Sequence, residues 1–281
     1  MFAMKKLLSI LKDSLLFNTL GFLSLTLYTN FSDFFLYKAN QIEFSCKDQS
    51  INRTIVSSTV HFIWPYYIFH YISLVIFFIC TLIDHRCMFR KNFWSSLKAY
   101  LTGAVFYLFM KTVLVIIVEI LKIHFGVLRP SFLQACQFTE CKSFPDEIVS
   151  PPYTCNNRKE FYFNKSFPSG HVTLSIFWMV VLSLSLERFF QKYRKILLNR
   201  IIFYIIIQAT IFSVATATSA SRYTDNKHFM SDIVGGAVLG GAFGLIVFKY
   251  LVLIEKTQFH NLEKTLQPTE PTGKELPEEA V

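Results

Sequence analysis

Six stretches of mostly apolar residues, at 14–35, 59–83, 99–121, 172–187, 201–219 and 233–254, constrain this 281-residue chain more than any other feature. About 20 such residues cross a hydrocarbon core about 30 Å thick. A soluble core of this size would show alternating or one-faced patterns. These stretches are apolar all round, as a span surrounded by lipid and other spans is. The expectation is an all-α polytopic membrane protein with six transmembrane helices. The first stretch is long and has no small-residue cleavage site, so it reads as a span rather than a cleaved leader.

The basic residues orient the spans. Segments 1–13, 84–98 and 188–200 hold 12 Lys and Arg in 41 residues, whereas 36–58, 122–171 and 220–231 hold 11 in 85. Short loops rich in Lys and Arg stay cytosolic. Both termini are therefore expected in the cytosol, and loops 36–58, 122–171 and 220–231 on the luminal or extracellular side, in a plasma-membrane or endoplasmic-reticulum protein. The net charge of +9 reflects this bias. No basic stripe with interleaved aromatics suggests a nucleic-acid partner. Residues 1–13 read as a cytosolic N-terminus, 14–256 as the membrane domain and 257–281, polar and proline-bearing, as a disordered cytosolic tail.

Cysteines and sequons fit the same orientation. Cys46, Cys136, Cys141 and Cys155 fall in the outer loops, where disulfides persist. A bond among Cys136, Cys141 and Cys155 is one reading and free thiols the other. Asn52 and Asn164 begin acceptor sequons on the outer side, while the Asn30 sequon lies close to the membrane. Gly235, Gly236, Gly240, Gly241 and Gly244 run down the last span, where small residues let helices approach. That packing role is preferred to phosphate cradling, because these glycines run into the bilayer.

Three polar clusters interrupt the apolar pattern, all at the outer side. The first is KIHFGVLRP, with Lys122 and Arg129-Pro130. The second is FPSGH, with Ser169, Gly170 and His171 before the fourth span. The third is SRYTDNKHFMSD, with Arg222, His228 and Asp232 between the last two spans. Ionisable groups at the edge of lipid are costly and mark functional sites. Taken singly, Lys122 and Arg129 read as anchors snorkelling to headgroups, Ser169 as a helix cap, His171 as an ordinary helix-end histidine, and His228 with Asp232 as a structural pair or two ligands of a metal. Their shared face favours one site. Lys122, Arg129 and Arg222 supply three positive charges, and arginine grips phosphate oxygens with a planar fork. Ser169 and Gly170 stand at a helix start, where free N–H groups bind anions. His228 and Asp232, four apart, share a helical face. A carboxylate on one ring nitrogen fixes the tautomer and leaves the other as a nucleophile, with His171 available to protonate a leaving oxygen. No metal is expected, since the outer cysteines form no C-x-x-C pairs and no further ligand has recognisable spacing.

Other ionisable residues are assigned lesser roles. Lys111, on the same helix face as Lys122, lines the pocket from below or pairs with a polar neighbour. Glu119 stands one turn from Lys122 and pairs with it. His61, His70 and the tyrosines of 66–71 suit the headgroup zone.

The three clusters, with FSCKDQSI, GVLRPSFL and SFPSGH, resemble the signature of the type-2 phosphatidic acid phosphatase superfamily, and within it the integral-membrane lipid phosphate phosphatases. The resemblance covers roughly residues 10–255. It implies a phosphatase core of the vanadium haloperoxidase-like helical bundle type and a metal-independent enzyme without cofactor. It implies His228 as a nucleophile forming a phosphohistidine, Asp232 orienting it, and His171 as acid and then base. Lys122, Arg129, Ser169, Gly170 and Arg222 would hold the phosphoryl group. Expected partners are a lipid phosphate substrate (phosphatidate, lysophosphatidate, sphingosine or ceramide phosphates, diacylglycerol pyrophosphate) and membrane lipids, and a homo-oligomer is compatible with the reading. Val127 and Ser131 depart from the arginine and histidine common in such proteins, which bears on substrate preference. The alternatives are an inactive lipid-binding or signalling relative, and a phosphatase for a soluble sugar phosphate.

Overall fold

The computed structural model describes residues 39–88, 93–143, 146–155, 163–193 and 201–266. The first apolar stretch, the N-terminus, the Asn30 sequon and residues 267–281 lie outside them.

Long helices dominate: α1 (Phe69–Met88), α2 (Phe93–Phe125), α5 (Gly170–Lys192), α6 (Ile201–Thr224) and α7 (Met230–Leu266). Four described stretches, Tyr100–Phe125 of α2, Gly170–Lys192, Ile201–Thr224 and Met230–Ile254, are long and apolar enough to cross a membrane, and α1 contributes a shorter apolar run, Phe69–Ile83. The chain is an integral membrane protein by that measure.

Helix α5 is the hub. Leu174, Phe177 and Val181 pack with Tyr107 and Leu114 of α2 and Val247 of α7, while Trp178 and Leu182 pack with Phe69 of α1 and Ile211 of α6. The glycines of α7 make the closest approach, as the sequence led us to expect. A Cβ at Gly236 would meet the Ser169 carbonyl at 2.8 Å, and one at Gly240 would drive into the Thr173 carbonyl. Only a bare Cα lets the two backbones come this near.

The segments before α1 and between α2 and α5 build a small second core. Phe44, Ile51, Leu128, Phe132, Phe138 and Tyr153 are buried together, and the short strands β1 (Phe44–Ser45) and β2 (Ile148–Val149) pair antiparallel, with Phe44 opposite Val149. Helices α3 (Phe132–Cys136) and α4 (Thr139–Ser143) complete it. So small a core holds little apolar surface, and cross-links compensate. Cys136 is bonded to Cys155, while Cys46 is bonded to Cys141 across 95 residues of chain. The partner of Cys141 is thus Cys46, in the segment that precedes α1 and outside the 136–155 window in which the sequence placed a bond. Replacing Cys46 and Cys141 together by serine is expected to cost about 2–4 kcal/mol, read as a lower thermal midpoint in detergent.

Helix boundaries depart from the apolar windows in an instructive way. Windows end where ionisable residues begin, but helical hydrogen bonding continues. α2 runs to Phe125 and α6 to Thr224, so Lys122 and Arg222 occupy last turns rather than loops; a cation there faces the negative end of the helix dipole. Gly126, at φ +59°, then turns the chain against the Asn40 carbonyl, where a side chain would clash. Residues 59–62, expected inside the second span, precede its helical part, whose first turn is a π-turn at Trp64–Ile68. At the far end α7 continues to Leu266, so residues 257–266 are helical and not the disordered tail expected.

Candidate active site

Backbone hydrogen bonds join the three sequence clusters. Arg129 N–H donates to Phe163 O at 2.8 Å and Ser166 N–H to Val127 O at 2.9 Å, laying the first cluster beside the second. Ser169 N–H donates to Asp232 O at 3.1 Å, tying the second to the third. Lys227 and His228 N–H groups both donate to the Arg222 carbonyl at 3.1 Å, which folds the α6–α7 turn over the end of α6.

Two of the cations are held by carboxylates one turn away. Lys122 Nζ lies 2.5 Å from Glu119 Oε1, and both residues are buried; this is the pair the sequence suggested. Arg222 is 2% exposed, and its Nη2 donates to Asp225 Oδ2 at 3.1 Å and to Val60 O at 3.0 Å. Asp225 in turn accepts from Thr59 N–H at 2.8 Å and from Thr59 Oγ1–H at 2.7 Å. Asn226 Nδ2 donates to Thr54 O at 3.1 Å, and Arg53 N–H to Pro130 O at 2.8 Å. Residues 53–60 therefore form a strap across the third cluster. Asp225 escaped the sequence reading, although its i, i+3 spacing from Arg222 was a local signal for it.

His228 is buried at the turn before α7. Its Nδ1 lies 3.6 Å from Asp232 Oδ2 and 3.4 Å from Ser166 Oγ. Asp232 Oδ2 also accepts from Ser166 Oγ–H at 2.6 Å and from Phe229 N–H at 2.8 Å. Ser166 is fully buried and is a member of the site that sequence reasoning missed. It stood inside the quoted SFPSGH stretch, and nothing local distinguishes it from the neighbouring serines. Ser169 occupies the N-cap of α5 but makes no side-chain capping bond; its buried Oγ has no hydrogen-bond partner among the described residues, and neither has Asp232 Oδ1. Gly170 and His171 are the first two residues of α5, and Arg222, His228, Lys122 and Arg129 all act electrostatically on His171. Two further lysines border the site. Lys165 is 3% exposed and interacts with Glu119 and Lys122, and Lys227 interacts with Arg129, Asp225 and Arg222. Burial lowers both lysine pKa values.

The His228 imidazole titrates at about 4, below the ordinary 6.5. Burial is the largest cause; the Asp232 carboxylate beside the ring opposes it, and the charges of Arg129 and Lys122 reinforce it. The ring is therefore neutral at physiological pH. Below pH 6.5 the unfolded chain binds a proton at this residue that the folded chain refuses, so its contribution to stability falls as the pH drops from about 6.5 toward 4. Arg129→Gln removes a charge that lowers this pKa. The histidine ring resonance of His228 is expected to titrate at higher pH in that variant than in the wild type, followed by NMR in detergent; an unchanged titration would contradict the assigned cause.

Several peripheral expectations are revised. Asn164 is buried, and its Nδ2 donates to Ala39 O at 3.3 Å. A glycan needs that nitrogen in solvent, so the structure argues against the Asn164 sequon. Asn52 is half-buried, with Oδ1 accepting from Gln134. His70 is buried, 2% exposed between helices, with Nδ1 2.5 Å from Tyr107 Oη. Lys111 lies over the Tyr67 ring, 5.2 Å from its centroid.

The chain is thus a helical membrane protein with basic residues and a histidine–aspartate pair at its helix ends, and sequence comparison places it in a family. The family model of the PAP2 superfamily matches residues 103–255, more than half the chain and all three clusters. The chain belongs to the PAP2 superfamily. It is similar to a Drosophila melanogaster protein named "Putative phosphatidate phosphatase", 27% identical over 74% of this chain and 60% of that one. It is similar to rat phospholipid phosphatase 1, 26% identical over 64% of this chain and 62% of the relative, and to the Caenorhabditis elegans "Phospholipid phosphatase homolog 1.2 homolog", 33% identical over 40% and 33%. The match thus spans less than two thirds of each relative's length. No solved structure matches the chain.

Proposed function

We propose that this protein is a lipid phosphate phosphatase, a phosphoric monoester hydrolase acting on phosphatidate and related lipid phosphates at the luminal or extracellular face of its membrane. The observation that carries the reading is the convergence of Lys122, Arg129, Arg222, His171 and the His228–Asp232 pair at one end of a bundle whose helices are apolar outside. That end is the depth of a lipid headgroup. Lys122, Arg129 and Arg222, with the α5 N-terminus at Ser169 and Gly170, hold the phosphoryl oxygens and stabilise them as charge redistributes. The unpartnered Ser169 hydroxyl supports this, because a buried hydroxyl without a partner costs about 1–3 kcal/mol that a ligand oxygen relieves.

The chemistry is a double displacement. Neutral His228 attacks phosphorus through Nε2. The bond from phosphorus to the glycerol oxygen breaks, its electron pair stays on that oxygen, and His171 donates the proton. Water then attacks the phosphohistidine, His171 takes its proton, and inorganic phosphate leaves. Asp232 stabilises the imidazolium formed on attack. The reaction needs no metal. The core is of the vanadium haloperoxidase-like type and the chain spans six times. The two disulfides and the bias of Lys and Arg support a site outside the cytosol.

The purified protein is expected to release inorganic phosphate from phosphatidate in mixed micelles with EDTA present, and to turn over glucose 6-phosphate poorly. No release from any lipid phosphate would overturn the assignment in favour of a non-catalytic lipid-binding relative. Preference for the sugar phosphate would reassign the substrate.

A further inference from the structure

Ser166 lies outside the residues to which chemistry was assigned above, yet its side chain sits at the junction of the pair that carries the proposed reaction. Its Oγ is 2.6 Å from Asp232 Oδ2 and 3.4 Å from His228 Nδ1, closer to the ring nitrogen than the 3.6 Å of the carboxylate itself. A hydroxyl has one proton. At 2.6 Å that proton goes to the carboxylate, so toward His228 the same oxygen only accepts. The hydrogen must then be on His228 Nδ1, and Nε2 keeps its lone pair.

The serine is held rigidly enough to impose this. It is fully buried, and its own N–H donates to Val127 O at 2.9 Å, which anchors it to the loop that carries Arg129. Asp232 Oδ2 is fixed from two sides, by Ser166 Oγ–H and by Phe229 N–H, while Oδ1 has no partner among the described residues. Without the serine, one backbone N–H would be the carboxylate's remaining side-chain tether, and rotation about the Asp232 side chain would be freed.

We propose that Ser166 is a positioning residue for the reaction. It orients the Asp232 carboxylate and selects the His228 tautomer whose Nε2 faces phosphorus, joining Ser166, Asp232 and His228 into one relay. This rests on His228 being the nucleophile. Ser166 touches no substrate, so its loss should slow the chemical step and leave binding alone.

The test uses the full chain in detergent with phosphatidate as substrate, and thermal unfolding of every variant as a check on folding. Ser166→Ala is expected to lower kcat roughly 10- to 100-fold while KM stays within about twofold. Ser166→Thr, which keeps the hydroxyl, is expected to recover most of the loss. In an Asp232→Asn background Ser166→Ala should cost less than about threefold, because residues acting as one unit are not additive. A wild-type kcat in Ser166→Ala, or the same loss in both backgrounds, overturns the proposal. If Ser166→Ala does not fold, Ser166→Cys replaces it, being nearly isosteric with a weak donor: kcat lowered about tenfold at unchanged KM supports the relay, and a wild-type kcat refutes it. His228→Ala is run alongside. Activity retained there removes the nucleophile and the relay together, whereas an inactive His228→Ala beside a fully active Ser166→Ala removes the relay alone.

Discussion

His228→Ala is expected to reduce phosphate release from phosphatidate by about 10³-fold or more, since losing the nucleophile of a concerted group removes most of what that group contributes. The physical case begins with burial. His228 is 4% exposed, neutral at physiological pH and beside a carboxylate. A neutral imidazole has the lone pair that attack requires, and the nearby carboxylate compensates the charge that attack creates. The same arrangement predicts what should be seen on the protein. Brief incubation with radiolabelled phosphatidate should leave an acid-labile, base-stable phosphoryl group on the wild type and none on His228→Ala. His171→Ala should form the adduct slowly and lose it more slowly still, because one histidine serves both half-reactions. Undiminished phosphate release by His228→Ala membranes would defeat the assignment. Because His228 is buried, the variant's thermal midpoint must be compared with the wild type before its inactivity is read as chemistry.

The second large effect is expected at a residue without a side chain. Gly240 of α7 faces the backbone of α5, and a Cβ there would run into the Thr173 carbonyl oxygen and lie 3.0 Å from the carbonyl carbon. The obstacle is main chain within a helix, so no rotamer change relieves it. Gly240→Val should separate the two helices, costing about 1–3 kcal/mol or more from overpacking alone. It should also cost activity, because α5 carries Ser169, Gly170 and His171 while α7 carries Asp232. Gly241→Ala is the control: the nearest atom to its Cβ is the Ile176 side chain at 3.9 Å, an ordinary contact. The pair is read as thermal midpoint and kcat in detergent. Equal behaviour of the two variants would refute the packing argument.

The residues that the fold brings together here stood out in the sequence largely because each cluster is short. Lys122 with Arg129, Ser169 with Gly170 and His171, and His228 with Asp232 each fall within a few residues, and apolar sequence around them makes charges conspicuous. The Glu119–Lys122 pair was legible for the same reason, being one helical turn apart. Asp225 was equally local and was overlooked. Ser166 could not be singled out, since its partners are 62 and 66 residues away and a serine alone carries no chemical signal. The strap at 53–60 was hidden in another way: Thr59 and Val60 fall inside an apolar window, and their bonds to Asp225 and Arg222 cross more than 160 residues. The sequon at Asn164 misled because a three-residue pattern says nothing about burial.

Hydropathy along the chain determined that apolar helices build this protein, and the placing of its charges determined where a phosphate-binding site would be sought, because both follow from the cost of putting each residue type in lipid. Only the tertiary structure decided which hydroxyl touches the histidine, which carboxylate holds Arg222, and which cysteine meets Cys141. Those contacts depend on how closely α5 and α7 approach and how the outer loops fold back on each other. Such distances are set by packing between segments far apart in the chain, and local composition carries no record of them.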